Sequence, residues 1–324
     1  MPYGNIIDRS DASALIPQEV SNEILKNVAE RSPLLRLARR LPNMSRAQRR
    51  LPVMSALATA YFVSGDNSKK QTSEVNWSNK HIDAEELAVI VPIPEAVLDD
   101  AEFDIWGEVR PELENAFDVA IAQAVLYGTN IPASWTTNLG AAGLKAGAVA
   151  ASHSISAAAY TDLYEAILGE TGAGADGLFM LTEADGFMVT GVLAHMSMKG
   201  KLRNVRSAVE KLPIFKPAMQ GHGAYELDGT PLEFPMDGSI DAAQSLLIAG
   251  QWNQLVYSMR QDITWKILDQ AVIQDGAGNI VYNLAQQDMV ALRAVMRLGF
   301  ALPNPINRMN QTAATRFPFS VLTA

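Results

Sequence analysis

Asp288-Met289-Val290-Ala291-Leu292-Arg293-Ala294-Val295-Met296-Arg297-Leu298-Gly299-Phe300 is the stretch on which the fold turns. Val290, Leu292, Ala294, Met296, Leu298 and Phe300 recur at every second position, and the two charges, Arg293 and Arg297, fall on the other side. A period of two sustained this long predicts a strand, not a helix. It reads as half-buried, with a row of positive charge along its polar face.

Outward from that strand, the chain offers two partners for it. Residues 51–64 (LPVMSALATAYFVS) are apolar and β-leaning, 64–73 form a polar tip, and 74–94 (EVNWSNKHIDAEELAVIVPIP) run back. This predicts a long projecting hairpin. Further strands are expected at 243–252, 253–260 and 263–273, and a hairpin at 225–234 with Asp228-Gly229 in its turn. Between these the period turns helical. Ile105, Val109, Leu113, Phe117 and Ile121 recur every fourth residue, with Asp104 at the N-cap, Pro111 as a kink and Gly128 as the stop. Shorter helices are predicted over 18–31, through Val20, Ile24, Leu25 and Val28, and over 160–170 and 183–198. Residues 178–183 (LFMLTE) read as a short strand, and residues 1–16 as a loose extension. The fold class is α+β around a central sheet.

Composition removes several classes of function. The chain has 324 residues, 48% of them hydrophobic, and no cysteine, so disulfides, thiol nucleophiles and cysteine metal sites are out. No run of 18 apolar residues could span a bilayer, and the start shows no secretory pattern. The net charge of −9 argues against a grip on DNA phosphates by the protein as a whole. That charge is segregated. Residues 26–50 carry eight basic side chains and one acid, a net +7, while 83–118 carry twelve acids and one base, a net −11. Opposite blocks of this size suggest pairing, within a subunit or across to a neighbour.

Catalytic chemistry is not assembled anywhere. Gly172-Ala173-Gly174-Ala175-Asp176-Gly177 satisfies G-x-G-x-x-G, but a dinucleotide site needs a strand before it and a helix after. Here the predicted order is helix then strand, so the segment reads as a loop. The four histidines are dispersed, and each reads as a surface or packing residue. Asp99, Asp100, Glu102 and Asp104 could serve a carboxylate-based hydrolase, or simply favour the front of the long helix. No cofactor or metal is expected.

A protein with projecting segments and no site suggests assembly as its work. The chain resembles the major capsid proteins of tailed bacteriophages, with the Hong Kong 97 fold. The residues that carry the resemblance, in order, are Ile16-Pro17-Gln18-Glu19-Val20, Ser32-Pro33-Leu34-Leu35 with the basic run behind it, and Glu86 to Glu95 leading into the long helix that ends at Leu126-Tyr127-Gly128. The most specific are Arg260-Gln261-Asp262-Ile263-Thr264 and Asp288 to Phe300. The resemblance implies an N-terminal arm (1–45), an extended loop (46–93), a spine helix with the first part of a peripheral domain (94–134), an axial domain (135–270) and a return to the peripheral domain (271–324).

It further implies hexamers and pentamers closing into an icosahedral shell around double-stranded DNA, enclosed without tight specific binding. The partners expected are other copies of the chain, together with scaffolding, portal and decoration proteins. No membrane is involved; the location is the virion, assembled in the bacterial cytoplasm. Encapsulin-like nanocompartments, similar in fold, are the related alternative. Candidates for contacts between subunits are Arg36, Arg39, Arg40, Arg46, Arg49, Arg50, Lys69, Lys70, Asp99, Asp100, Glu102, Glu108, Arg293 and Arg297. Some family members join subunits by an isopeptide bond between a loop-tip lysine and an asparagine before the terminal strand. Lys69 and Lys70 lie at the tip here, but the matching position is Asp288, and a carboxylate is a poor electrophile for an amine.

Overall fold

The computed structural model describes residues 33–63, 69–100, 104–160, 163–169, 176–203 and 225–324. The helix expected over 18–31, the glycines at 172 and 174, and Lys26, Arg31 and Glu102 lie outside them. The strands are β1 (Arg39–Arg40), β2 (Gln48–Met54), β3 (Trp77–Asp83), β4 (Glu85–Pro94), β5 (Ser154–Ser156), β6 (Gly191–Ala194) and β7 (Tyr225–Leu227). They continue as β8 (Thr230–Glu233), β9 (Leu247–Gly250), β10 (Val256–Leu268), β11 (Val272–Gln274), β12 (Ile280–Asn283), β13 (Met289–Ala301) and β14 (Phe319–Thr323). The helices are α1 (Leu34–Leu37), α2 (Glu95–Asp100), α3 (Ile105–Tyr127), α4 (Ala133–Leu139), α5 (Leu144–Ala150), α6 (Leu163–Leu168), α7 (Leu178–Ala184) and α8 (Met196–Arg203).

The alternating stretch forms β13, the third strand of a four-stranded sheet in the order β1-β10-β13-β4. It pairs antiparallel with β10 on one side and, from Met289↔Pro94 to Leu298↔Glu85, with β4 on the other. One expectation is corrected here. The strand is covered on both faces: Ala291, Leu292, Ala294, Val295, Met296, Leu298 and Phe300 are all buried, and Arg293 alone is fully exposed. Met296, Leu298 and Phe300 pack with Ile121 and Val125 of α3 and Trp135 of α4, whose ring meets Phe300 edge-on at 5.2 Å. A strand with neighbours on both edges and cover on both faces tolerates apolar residues at consecutive positions.

The hairpin is present as β2 and β3, paired from Gln48↔Asp83 to Met54↔Trp77. Beyond the ladder, Ser73 Oγ accepts from Thr59 N at 2.8 Å and Tyr61 Oη donates to Gln71 O at 2.6 Å, so the two limbs stay tied further out. Its base is seated tightly. A Cβ on Gly299 of β13 would lie 2.4 Å from Asp83 O and 2.6 Å from Ile82 Cγ2. Gly299→Ala should therefore cost about 1–3 kcal/mol by overpacking, read as a lowered melting temperature, because a backbone carbonyl cannot swing aside.

The long helix runs unbroken through Pro111 and ends at Gly128, whose φ of 73° is the left-handed stop its sequence predicts. Asp104 occupies the N-cap position but makes no side-chain cap bond. Asp99 and Asp100 do not belong to this helix. They end the separate α2, where the dipole disfavours negative charge, so the local reason for having acids there fails.

Residues 154–323 supply a six-stranded sheet, β5-β14-β9-β6-β8-β7, including the expected hairpin of β7 and β8. Two assignments change. LFMLTE is helical, as α7, burying Leu178, Phe179 and Thr182 along one face. The stretch read as a helix over 183–198 instead holds β6 and the start of α8; Val192, Leu193 and Ala194 are all but inaccessible between β8 and β9. A short apolar run in a sheet centre has no alternation to announce it. The G-x-G-x-x-G segment therefore falls between two helices, α6 and α7, still without the strand a dinucleotide site needs.

The two strands expected at 253–260 and 263–273 are largely one. β10 passes through Gln261 by register shifts instead of a break, and it lies in the four-stranded sheet. The C-terminal β14 sits between β5 and β9 in the six-stranded one. Both strands thus pair outside the segments that the resemblance implied for them.

Candidate assembly surfaces

The basic block is stitched to its own subunit before its charges can be used. Leu34 of α1 is buried in the main core, and β1 pairs parallel with β10 through Arg39↔Val256 and Arg40↔Tyr257. Beyond it, Leu41 N and Met44 N donate to Tyr257 O and Met259 O, each at 2.8 Å. Three arginines are then satisfied nearby. Arg36 pairs with Glu233 at 2.5 Å, Arg40 Nη2 donates to Asn43 Oδ1 at 3.3 Å, and Arg49 Nη1 donates to Pro42 O at 2.6 Å. Arg39, Arg46 and Arg50 remain exposed and form no ion pair among the described residues. The partner of Arg36 comes from β8, outside the acidic segment.

The other charges separate the same way. Arg297 is directly opposite Glu86 and forms a bonded pair with it, Nε to Oε2 at 2.8 Å. Arg293 stands opposite Lys266 on β10 and Ile90 on β4. Like charges facing each other across a ladder are unfavourable within one chain, which makes this spot a place for an outside carboxylate. Lys266 is a residue the sequence reading missed, because only the pairing of β10 with β13 reveals it. Lys69, Lys70, Asp99 and Asp100 are exposed, and Glu108 is half-buried in the first turn of α3.

Also missed were apolar side chains left in water. Phe62 is fully exposed, Trp77 is 67% exposed, and Tyr61 and Met54 accompany them on the hairpin. Val272, Ile280, Val281 and Tyr282 are uncovered on the β11–β12 ribbon. Alternation in the sequence predicts strands here, but nothing local says that a face lacks cover.

One polar cluster is interior. Asp185, after α7, accepts from Phe317 N at 2.8 Å and Asn310 Nδ2 at 2.6 Å, and faces His153 Nε2 at 3.2 Å. Beside it the buried Arg316 donates to Asn304 Oδ1, Asn304 O and Asn310 O at 3.0–3.2 Å. Burial pulls the His153 pKa down against the opposing pull of Asp185 and of the backbone at Phe319 and Phe317, so the ring is held neutral. Its Nδ1 is buried and makes no hydrogen bond. The pair is a clasp on the 304–317 segment, not a nucleophile-activating dyad. The sequence reading took His153 for an isolated histidine because its carboxylate comes from a different element. Among the described residues no three His, Asp or Glu side chains gather as a metal site.

These features belong to a known architecture. Residues 12–307 match the phage capsid family. The chain belongs to that family. Among its relatives is the major capsid protein of Staphylococcus phage 80alpha, 24% identical over 299 residues that cover 91% of this chain and 83% of that one. A solved structure from Microbacterium phage Oxtober96 is 33% identical, covers 98% of this chain and 99% of its own, and superposes with a TM-score of 0.82. One from Mycobacterium phage Adephagia is 28% identical, with 98% of both chains covered and a TM-score of 0.79. The resemblance read from the motifs is borne out, and so is the α+β capsid fold. Neither the encapsulin nor the hydrolase alternative finds support in these likenesses.

Proposed function

We propose that this capsid-family chain is the principal shell subunit of a tailed phage head, joining as hexamers and pentamers into an icosahedral shell around double-stranded DNA, with no turnover of its own. The observation that carries this is the hairpin, which reaches away from the core with Phe62 and Trp77 bare to solvent. Apolar surface presented on a projecting arm calls for another protein surface to cover it. We read the four-stranded sheet with α3 as the peripheral domain, the six-stranded sheet as the axial domain, and β2–β3 as the extended loop. Arg39, Arg46, Arg50, the Arg293–Lys266 spot and the acids Asp99 and Asp100 are the charged contacts proposed between copies. Scaffolding, portal and decoration proteins are the further partners, and the virion is the location. The net charge of −9 suits a container that must release its DNA. Sedimentation and electron microscopy of the purified chain should show closed shells; only monomers or dimers at high concentration in every salt tested would sink the reading.

A shell of this kind should be held without covalent links. Asp288 stands where the cross-linking members have asparagine; its own carbonyl accepts from Glu95 N at 2.9 Å, fixing the junction of β4 with β13. Boiling particles in detergent should return one band at 35.1 kDa. A ladder, or a tryptic pair joining Lys69 or Lys70 to another chain, would overturn this.

A further inference from the structure

A groove of about 1350 Å³ opens beside the arm anchor, between α1, β10 and β13. Leu35, Met259, Ile263 and Trp265 contribute half-buried apolar surface to it, and Met296 its buried floor. Pro33, where the described chain begins, is on its rim. Immediately before Pro33 the sequence places Val20, Ile24, Leu25 and Val28 on one stripe of a predicted helix over 18–31, with Glu19, Glu23, Lys26 and Glu30 off it. We propose that residues 18–31 of the same chain seat in this groove as an amphipathic helix.

Size, stripe and tether agree. A helix of that length is ~21 Å long and ~10 Å wide, or ~1,600 Å³, comparable with the groove. Its apolar stripe matches an apolar wall flanked by both signs of charge, Arg40 and Asp262 among them. Only Ser32 separates the helix from the rim, so its local concentration is in the millimolar range or above, which the same segment of a neighbouring copy must exceed. The seated helix would leave Arg39, Arg46 and Arg50 facing outward. This inference does not depend on shell formation and is tested apart from it.

The photoreactive residue p-benzoylphenylalanine is placed at Met259 and, in a second variant, at Trp265. Subunits grown in 14N and 15N are dissociated, mixed and reassociated, a general lysine cross-linker verifying that the labels have mixed. After irradiation, mass spectrometry should find the probe joined to residues 18–31 in peptide pairs of uniform label. Ile24→Asp with Leu25→Asp should reduce that yield at least tenfold, and a probe at the exposed Met188 should give none. Mixed-label pairs would assign the groove to a neighbour's segment. Cross-links to residues 204–224, which end beside groove-lining Tyr225, or none to 18–31, would equally overturn the proposal.

Discussion

Replacing Arg39, Arg46 and Arg50 together by glutamate should leave a folded subunit that makes no shells. These three are exposed and unpaired within the described chain, and the backbone that holds them, from β1 to β2, is fixed by main-chain bonds that the substitution does not touch. A single exposed ion pair contributes only about 0.2–1 kcal/mol. Three pairs reversed from attraction to repulsion change the balance by ~1–6 kcal/mol per subunit, and each ~1.4 kcal/mol is a factor of ten in association. Because every subunit of a closed shell repeats the contact, even the lower figure multiplies. Far-ultraviolet circular dichroism and the melting temperature should match the parent while sedimentation shows no particles. Wild-type assembly should also weaken as salt shortens the range of these charges. Normal shells from the triple reversal would show that the arm charges are merely solvated.

Asp185→Ala should act in the opposite way, on folding first. The change strands Phe317 N, Asn310 Nδ2 and His153 Nε2 in the interior at once. Removing one side of a buried pair costs about 3–5 kcal/mol. At roughly 2–4 °C per kcal/mol for chains of 150–250 residues, the melting temperature should fall by something like 10 °C. An unchanged melting curve would refute the clasp. The same cluster sets a pH dependence. His153 has its pKa lowered in the folded state, so the unfolded chain takes up the proton more readily. Stability from this residue is complete above the ordinary histidine pKa of about 6.5 and is lost as pH falls from there through the lowered folded value. His153→Gln should flatten that slope.

How far all this was legible differs from element to element. The strand 289–301, the helix that stops at Gly128, the hairpin and the 228–229 turn were readable because their signals are local: a period of two or four, a glycine at a left-handed position, an Asp-Gly pair. The capsid family was readable because several loose motifs stand in a fixed order. β6 and α7 were misread for one reason. Val192, Leu193 and Ala194 are apolar in succession, and so are Leu178 and Phe179, and a short unbroken apolar run fits a buried strand and a buried helix equally.

Composition and order along the chain settled the charge segregation, the lack of cysteine chemistry and the alternation of β13. Which arginines are spent at home and which remain for a neighbour was decided only in three dimensions. Arg36 reaches Glu233, nearly two hundred positions away, and Arg297 finds Glu86, while Arg293 meets Lys266 instead of an acid. His153 and Asp185, Trp135 and Phe300, and the bare face of Phe62 and Trp77 are likewise products of strand pairing and packing. Periodicity reports which side of an element is apolar, through the geometry of the backbone itself. What stands opposite that side depends on contacts between residues far apart in the chain, and those exist only once the two sheets have formed.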